Sequence, residues 1–221
     1  YGFAMPTADA VYVVATDYSI GQNEEDGTVY ALDPDTGSKR WGQTVPRLWS
    51  TVVAGGNVVA TSGEKAVYSL SGEAGKTRWK RDLDRHPWTV VADDGRAFVS
   101  QKGRFSALAL DTGDVEWRHD DVADDAFGRF AVAPDALYFA EESAGLSVHD
   151  PASGDVLWVT ENDVGMPLAV TDDAIYFRTR RGLDARSTGD GRLLGQFEPA
   201  DTVSTLAVTD GALFVTDVAG A

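Results

Sequence analysis

The sequence predicts an all-β fold made of a four-stranded unit repeated around an axis. Three observations predict it. A glycine-turn hairpin recurs with a period near forty residues, a second type of hairpin recurs between its copies, and no long helical stripe of apolar residues is present. Repeated four-stranded units of this period make a β-propeller.

The glycine-turn hairpin is clearest at residues 31–41, A-L-D-P-D-T-G-S-K-R-W. It reads as the end of one strand, a tight turn and the start of the next. Asp33 and Asp35 are placed to accept turn N–H groups, as Asx residues do. Gly37 supplies the positive φ that other residues resist. Trp41 follows four residues later and carries a large apolar face towards whatever lies beside its strand. Further copies occupy residues 69–79 with Gly75 and Trp79, 107–117 with Thr112, Gly113 and Trp117, and 148–158 with Asp150, Gly154 and Trp158. A fifth, at 185–195, has Asp190 and Gly191, but Gly195 stands at the tryptophan position. Successive turn glycines are 38, 38, 41 and 37 residues apart.

Between these copies lie pairs of apolar runs around short polar turns, at 52–62, 90–100, 131–140, 168–178 and 206–216, with an earlier one at 3–15. Their Gly, Asn and Asp clusters are hairpin signals. Each unit therefore has strands A and B, then C and D joined by the glycine turn. In the second unit A falls near 51–54, B near 58–62, C near 66–70 and D near 77–82. Strand D is the outer edge, and its Lys39, Arg40, Arg78, Lys80, Arg81 and Arg118 discourage pairing with another chain. Trp41, Trp79, Trp117 and Trp158 are expected to dock between neighbouring blades. The count is five full blades and a partial one.

The formal net charge is −16, with 35 acidic residues against 19 basic ones. The acid is mostly Asp, 26 against 9 Glu, and the base mostly Arg, 14 against 5 Lys. Such a lysine-poor, aspartate-rich surface resembles that of proteins from salt-in halophiles, where molar salt screens self-repulsion. An ordinary acidic protein rich in turns is the alternative. The charge argues against nucleic acid, which needs a basic stripe, and against anionic membrane. With no cysteine there is no disulfide, and no run approaches a membrane span. No signal peptide opens the sequence at Tyr1, which suits a mature or trimmed chain and does not point to the cytoplasm.

The pattern A-x-D-x-x-T-G-x-x-x-W, met in full by Ala31, Asp33, Thr36, Gly37 and Trp41, resembles the repeat of quinoprotein-like β-propellers. That family includes the pyrroloquinoline quinone (PQQ) dehydrogenases and BamB. The resemblance covers nearly the whole chain, as one repeat domain over 1–221, and is specific for fold rather than function. It implies seven or eight blades. The chain is therefore expected to be a segment of a larger ring, the alternative being a small or open array.

The resemblance raises PQQ and calcium as cofactors, and the residues support neither. PQQ dehydrogenases resemble one another in a calcium site of Glu, Asn and Asp, an Asp base and often a vicinal disulfide. Here there is no cysteine, the only asparagines are Asn23, Asn57 and Asn162, and no triad or base can be placed by motif. Carboxylate clusters at Asp33 and Asp35, at 24–26 and at 120–125 fit no closed calcium loop and read as solvated charge. His86, His119 and His149 share no metal-ligand spacing and read as turn or edge residues. No nucleophile elbow is present.

One feature points to a partner. The D–A and B–C connections of a propeller emerge on one face. Here the D–A segments hold Arg47 and Trp49, then Arg85, His86 and Trp88, then Phe127 and Arg129. The B–C segments hold Lys65, then Lys102 and Arg104, then Arg178, Arg180 and Arg181. Trp49 and Trp88 lie outside the repeat motif, and Arg and Trp anchor interfaces. Such a face suits an acidic or extended peptide. The alternative is that both tryptophans cap the core and the arginines pair with nearby Asp. The expectation is a non-catalytic scaffold binding a protein or peptide at the surface of a halophile. Two alternatives stand beside it: a PQQ-dependent dehydrogenase segment or other propeller enzyme, and a purely structural extracellular repeat. The assembly role of BamB belongs to a Gram-negative outer membrane and is not carried over with the fold.

Overall fold

Each recurring unit closes into its own antiparallel sheet. The first holds β1 (Gly2–Pro6), β2 (Val11–Thr16), β3 (Gly27–Leu32) and β4 (Lys39–Val45). The second holds β5 (Leu48–Ala54), β6 (Asn57–Ser62), β7 (Ala66–Ser71) and β8 (Thr77–Asp82), and the third β9 (Pro87–Ala92), β10 (Arg96–Gln101), β11 (Arg104–Ala109) and β12 (Val115–Asp120). The fourth is β13 (Arg129–Ala133), β14 (Ala136–Glu141), β15 (Gly145–His149) and β16 (Val156–Thr160); the fifth is β17 (Pro167–Val170), β18 (Ala174–Thr179), β19 (Gly182–Ser187) and β20 (Leu193–Phe197). A hairpin of β21 (Thr202–Thr209) and β22 (Ala212–Val218) follows. This is a computed structural model, and it describes residues 2–16, 26–93, 95–120, 129–141, 145–160, 167–179, 182–198, 202–209 and 212–218. Among these there is no helix, and no helix is long and apolar enough to cross a membrane.

The chain divides into two compact units, Tyr1–Val122 and Ala123–Ala221. In the first, the innermost strands β5 and β9 pack side by side; in the second, β13 packs on β17 and β17 on β21. One core cluster joins Tyr12, Val14 and Val29 of the first sheet to Val58, Ala60 and Leu70 of the second. Another joins Val59 and Val67 of the second sheet to Val99 and Leu108 of the third. A third joins Tyr138, Leu146 and Val148 to Ile175 and Phe177 in the second unit. Sheets covered on both faces leave their middle strands no wet side. Every residue of β6 is therefore buried, whereas the outer β8 and β12 bury almost nothing.

Neighbouring sheets are locked by the tryptophans of strand D. Trp41 Nε1 donates to Gly72 O at 2.8 Å, Trp79 Nε1 to Leu110 O at 2.8 Å and Trp158 Nε1 to Thr188 O at 3.1 Å. Each acceptor stands three residues before the turn glycine of the next sheet, and the indole lies against that glycine. A Cβ added at Gly75, Gly113 or Gly191 would come within 2.6–2.7 Å of the Trp41, Trp79 or Trp158 ring. Trp117 packs edge-on against Phe105 and at a tilt to Phe98. In the fifth sheet Gly195 pairs with Ala185, as Trp41 pairs with Ala31 and Trp79 with Ser69. The turns share one geometry: the glycine N–H returns to the carbonyl four residues earlier, as from Gly37 to Asp33 at 2.9 Å and Gly113 to Ala109 at 2.8 Å.

This arrangement separates two penalties. Gly37 and Gly113 have φ of 69° and 73°, but a Cβ at Gly37 meets nothing within 4 Å. Gly37→Ala should therefore cost only the left-handed backbone penalty, about 1 kcal/mol. Gly113→Ala must also push the Trp79 ring aside, and the expected total is about 2–4 kcal/mol. Urea unfolding of the two variants measures the difference, and equal midpoints would refute the docking role of Trp79.

Candidate functional site

The ends of the first unit's second and third sheets that carry the D–A and B–C connections are tied together by backbone. Gly63 N donates to Arg47 O at 2.8 Å, Leu83 N to Lys65 O at 2.7 Å, and Ser62 Oγ to Pro46 O at 2.6 Å. In the third sheet Arg85 Nη1 reaches Lys102 O and Gly103 O at 2.9 and 3.0 Å, and Gln101 Nε2 returns to Arg85 O at 3.3 Å. Connections far apart in sequence thus form one surface.

Trp49 and Trp88 lie inside strands β5 and β9, not in the connections where the sequence pattern sets them. The innermost strands begin about three residues earlier than their apolar alternation suggests, because a β-bulge interrupts it. Leu48 pairs with Ser62 and Ser50 with Thr61, which leaves Trp49 as the extra residue. In β9, Pro87 pairs with Gln101 and Val90 with Val99, with Trp88 inside the irregularity. Bulges bend a strand and re-aim side chains. Trp49 is 36% exposed. Its ring stacks on His86 with centroids 5.9 Å apart and planes at 14°, and tilts against Trp88 at 5.6 Å. Its edge rests on Gly63, where an added Cβ would stand 2.9 Å from Trp49 Nε1 and 3.1 Å from Arg47 Nε. Arg47, Trp49, His86 and Trp88 therefore form one contiguous aromatic and basic cluster.

The third sheet's connection is held from below by Arg104, which is nearly buried. Its Nε donates to Asp120 Oδ1 at 2.5 Å and its Nη1 to Asp84 Oδ1 at 2.7 Å. The Arg104 hydrogen bond holds the Asp120 carboxyl below the usual range. At Asp84 burial pushes upward, but the Arg104 bond and charge outweigh it and the net shift is also down. Arg104 and Asp84 line a cavity of about 190 Å³ together with Arg81, Gln101, Leu108 and Arg118. Arg104 thus works as a strut beneath the surface, and Arg85 lies 3.9 Å from the same Asp120.

Other residues named from the sequence fall elsewhere. Arg129 and Arg178 belong to β13 and β18, in the second unit, and Arg180 and Arg181 lie outside the described residues. Asp33 is already engaged. Its Oδ1 accepts from Thr36 N and Thr36 Oγ1, its Oδ2 from Arg40 at 2.7 Å, and Arg40 chiefly holds its carboxyl far below the ordinary carboxylate range. Glu24, Glu25, Asp121, Asp124 and Asp125 lie outside the described residues. Among the described residues no three His, Asp or Glu side chains converge as metal ligands. The histidines are dispersed: His119 stacks on Phe105, and His149 is buried at the end of β15, with Nδ1 3.0 Å from Gly154 O. His149 is thus a core residue, not the turn or edge residue its surroundings suggest.

Solved structures share this fold. The chain is similar to BamB from Moraxella catarrhalis at 16% identity, with a TM-score of 0.56 over 97% of this chain and 93% of that one. It is similar to a europium-containing methanol dehydrogenase at 15% identity and TM-score 0.62, covering 90% of this chain but 51% of that one. It is also similar to Hsv2 of Kluyvelomyces marxianus at 14% identity and TM-score 0.66, over 91% of this chain and 68% of that one. Comparison with curated proteins gives no match. These likenesses establish a β-propeller fold. The family model described as outer membrane protein assembly factor BamB matches residues 25–221, and the chain belongs to that family.

Proposed function

We propose that this chain is a non-catalytic β-propeller scaffold that binds a protein partner through the Trp49 face, at the cell surface of a halophile. One observation carries the reading. A bulge sets Trp49 out at the surface, stacked on His86 and flanked by Arg47, on a chain whose net charge is −16. A core cap would turn its indole inward, whereas Trp and Arg side by side at a surface are typical interface anchors. The family's description as an assembly factor supports binding rather than turnover. The methanol dehydrogenase likeness supports a propeller enzyme only at the level of fold.

Three outcomes are expected. A partner captured from a halophile envelope extract, then purified, binds the wild-type chain saturably, and Trp49→Ala with Trp88→Ala weakens it at least tenfold with the β-type circular dichroism unchanged. Undiminished binding would remove this face from consideration. Calorimetric titration with PQQ and calcium together, in molar KCl, gives no saturable heat; micromolar binding would replace the scaffold with a quinoprotein. The melting temperature rises steeply between about 0.1 and 1 M KCl, as the Debye length contracts from about 10 to 3 Å. A flat dependence would sink the halophile assignment.

A further inference from the structure

Among the described residues, two that are not glycine adopt a positive φ: Arg47 at 45° and Lys65 at 59°. Both are basic. Both sit on the Trp49 face, joined through the hydrogen bond from Gly63 N to Arg47 O and the turn that closes from Lys65 N to Ser62 O at 3.1 Å. Left-handed backbone is costly for a long side chain. The third sheet avoids that cost, since Gly103, with φ of 65°, is the last residue of its corresponding turn. Strain of this kind collects at ligand clamps.

The charges point the same way. Arg40, Arg81, Arg85, Arg96, Arg104, Arg118 and Arg186 each stand within ion-pair distance of a carboxylate. Among the described residues Arg47 and Lys65 have no ion pair, a state they share with Lys39 and Arg78, although Glu64 lies between Gly63 and Lys65 and the Asp26 carboxylate accepts from Arg47 N. Among the described residues, Arg47 Nε and His86 Nδ1 are buried without a hydrogen-bond partner. The Lys65 and Glu64 side chains are exposed.

We infer that the ligand of this face is an extended acidic peptide segment, its carboxylates received by Arg47 and Lys65 while an apolar or aromatic residue between them lies on the Trp49 indole. The inference rests on the partner-binding reading of the same face and adds the chemistry of the partner. Two cations beside one exposed indole fit an acidic, an apolar and an acidic residue at every second position of an extended strand, because residues i, i+2 and i+4 share one face. The chain's own negative field opposes such a ligand at a distance. Molar salt screens that field, while contacts closer than the Debye length persist.

The test uses the full chain in molar KCl and a blocked Glu-Ser-Tyr-Ser-Glu peptide, titrated calorimetrically beside its Gln counterpart. The Glu peptide is expected to bind at least tenfold more tightly, and Arg47→Gln is expected to remove most of that difference. Lys65→Gly is the more telling variant. It relieves the left-handed strain, so the melting temperature should rise by about 2 °C, while affinity for the Glu peptide falls at least fivefold. Gained stability with lost affinity shows that the lysine is kept for binding, and gained stability with unchanged affinity would overturn its assignment. Equal binding of Glu and Gln peptides would overturn the carboxylate chemistry and leave partner binding standing. Tighter binding of a short single-stranded oligothymidylate than of either peptide would overturn the peptide in favour of base stacking. If neither peptide binds while the captured partner still does, the acidic-peptide inference is lost on its own. If the partner's binding also ignores Trp49, both readings fall.

Discussion

The constraint on which the rest depends is the seating of an indole on the turn glycine of the next sheet. The indole N–H must find an acceptor, and the carbonyl three residues before the glycine supplies it in every interlock described. The glycine must lack a Cβ, because the ring occupies that position. The turn must also be left-handed there, which glycine tolerates. One contact therefore prescribes two residues thirty-odd positions apart and sets the period of the chain. It also fixes the first sheet to the second, the second to the third and the fourth to the fifth. That is why β6 is buried along its whole length, and why its sequence, Asn57–Ser62, does not alternate as a half-wet strand would.

The interlock engages the turns that join the third and fourth strands of the second, third and fifth sheets; in the second and third sheets these lie at the end opposite the Trp49 surface. The connections at that other end are held by different means: backbone bonds among Arg47, Gly63, Lys65 and Leu83, and the Arg104 strut beneath Asp84. Their sequences are not dictated by the repeat. This leaves room for residues that lower stability, such as a left-handed lysine, where the next sheet shows that glycine fits the same place. Loops held on a rigid scaffold are where proteins put recognition.

Most of the fold was legible because glycine, aspartate and tryptophan each have a physical reason to stand where they do. Asp33 and Asp150 accept the turn N–H groups their spacing suggests. The site was less legible. The starts of β5 and β9 were hidden by bulges, since an extra residue shifts the alternation by one and makes Leu48, Trp49 and Ser50 read as a connection. The left-handed Lys65 gave no signal, because lysine is not a turn residue. Its correspondence with Gly103 becomes visible only once the pairs Ser62 with Ala66 and Gln101 with Arg104 are known. Arg104 read as a surface cation for the same reason: at the start of β11 its side chain is turned inward onto Asp84 and Asp120.

Electrostatics gives the unpaired cations their weight. Exposed ion pairs contribute little to stability, about 0–1 kcal/mol each, so nothing in folding requires Arg47 or Lys65 to have a partner. On a chain with 35 acidic residues, however, a basic side chain meets a carboxylate readily, as Arg40, Arg81 and Arg118 do. Here two acids of the face are engaged elsewhere, Asp26 on the Arg47 backbone N–H and Asp84 on Arg104, while Glu64 stays exposed beside Lys65. On this surface Arg85 and Arg104 stand beside Asp120 and Asp84, so Arg47 and Lys65 are the cations that the proposed carboxylate ligand would meet.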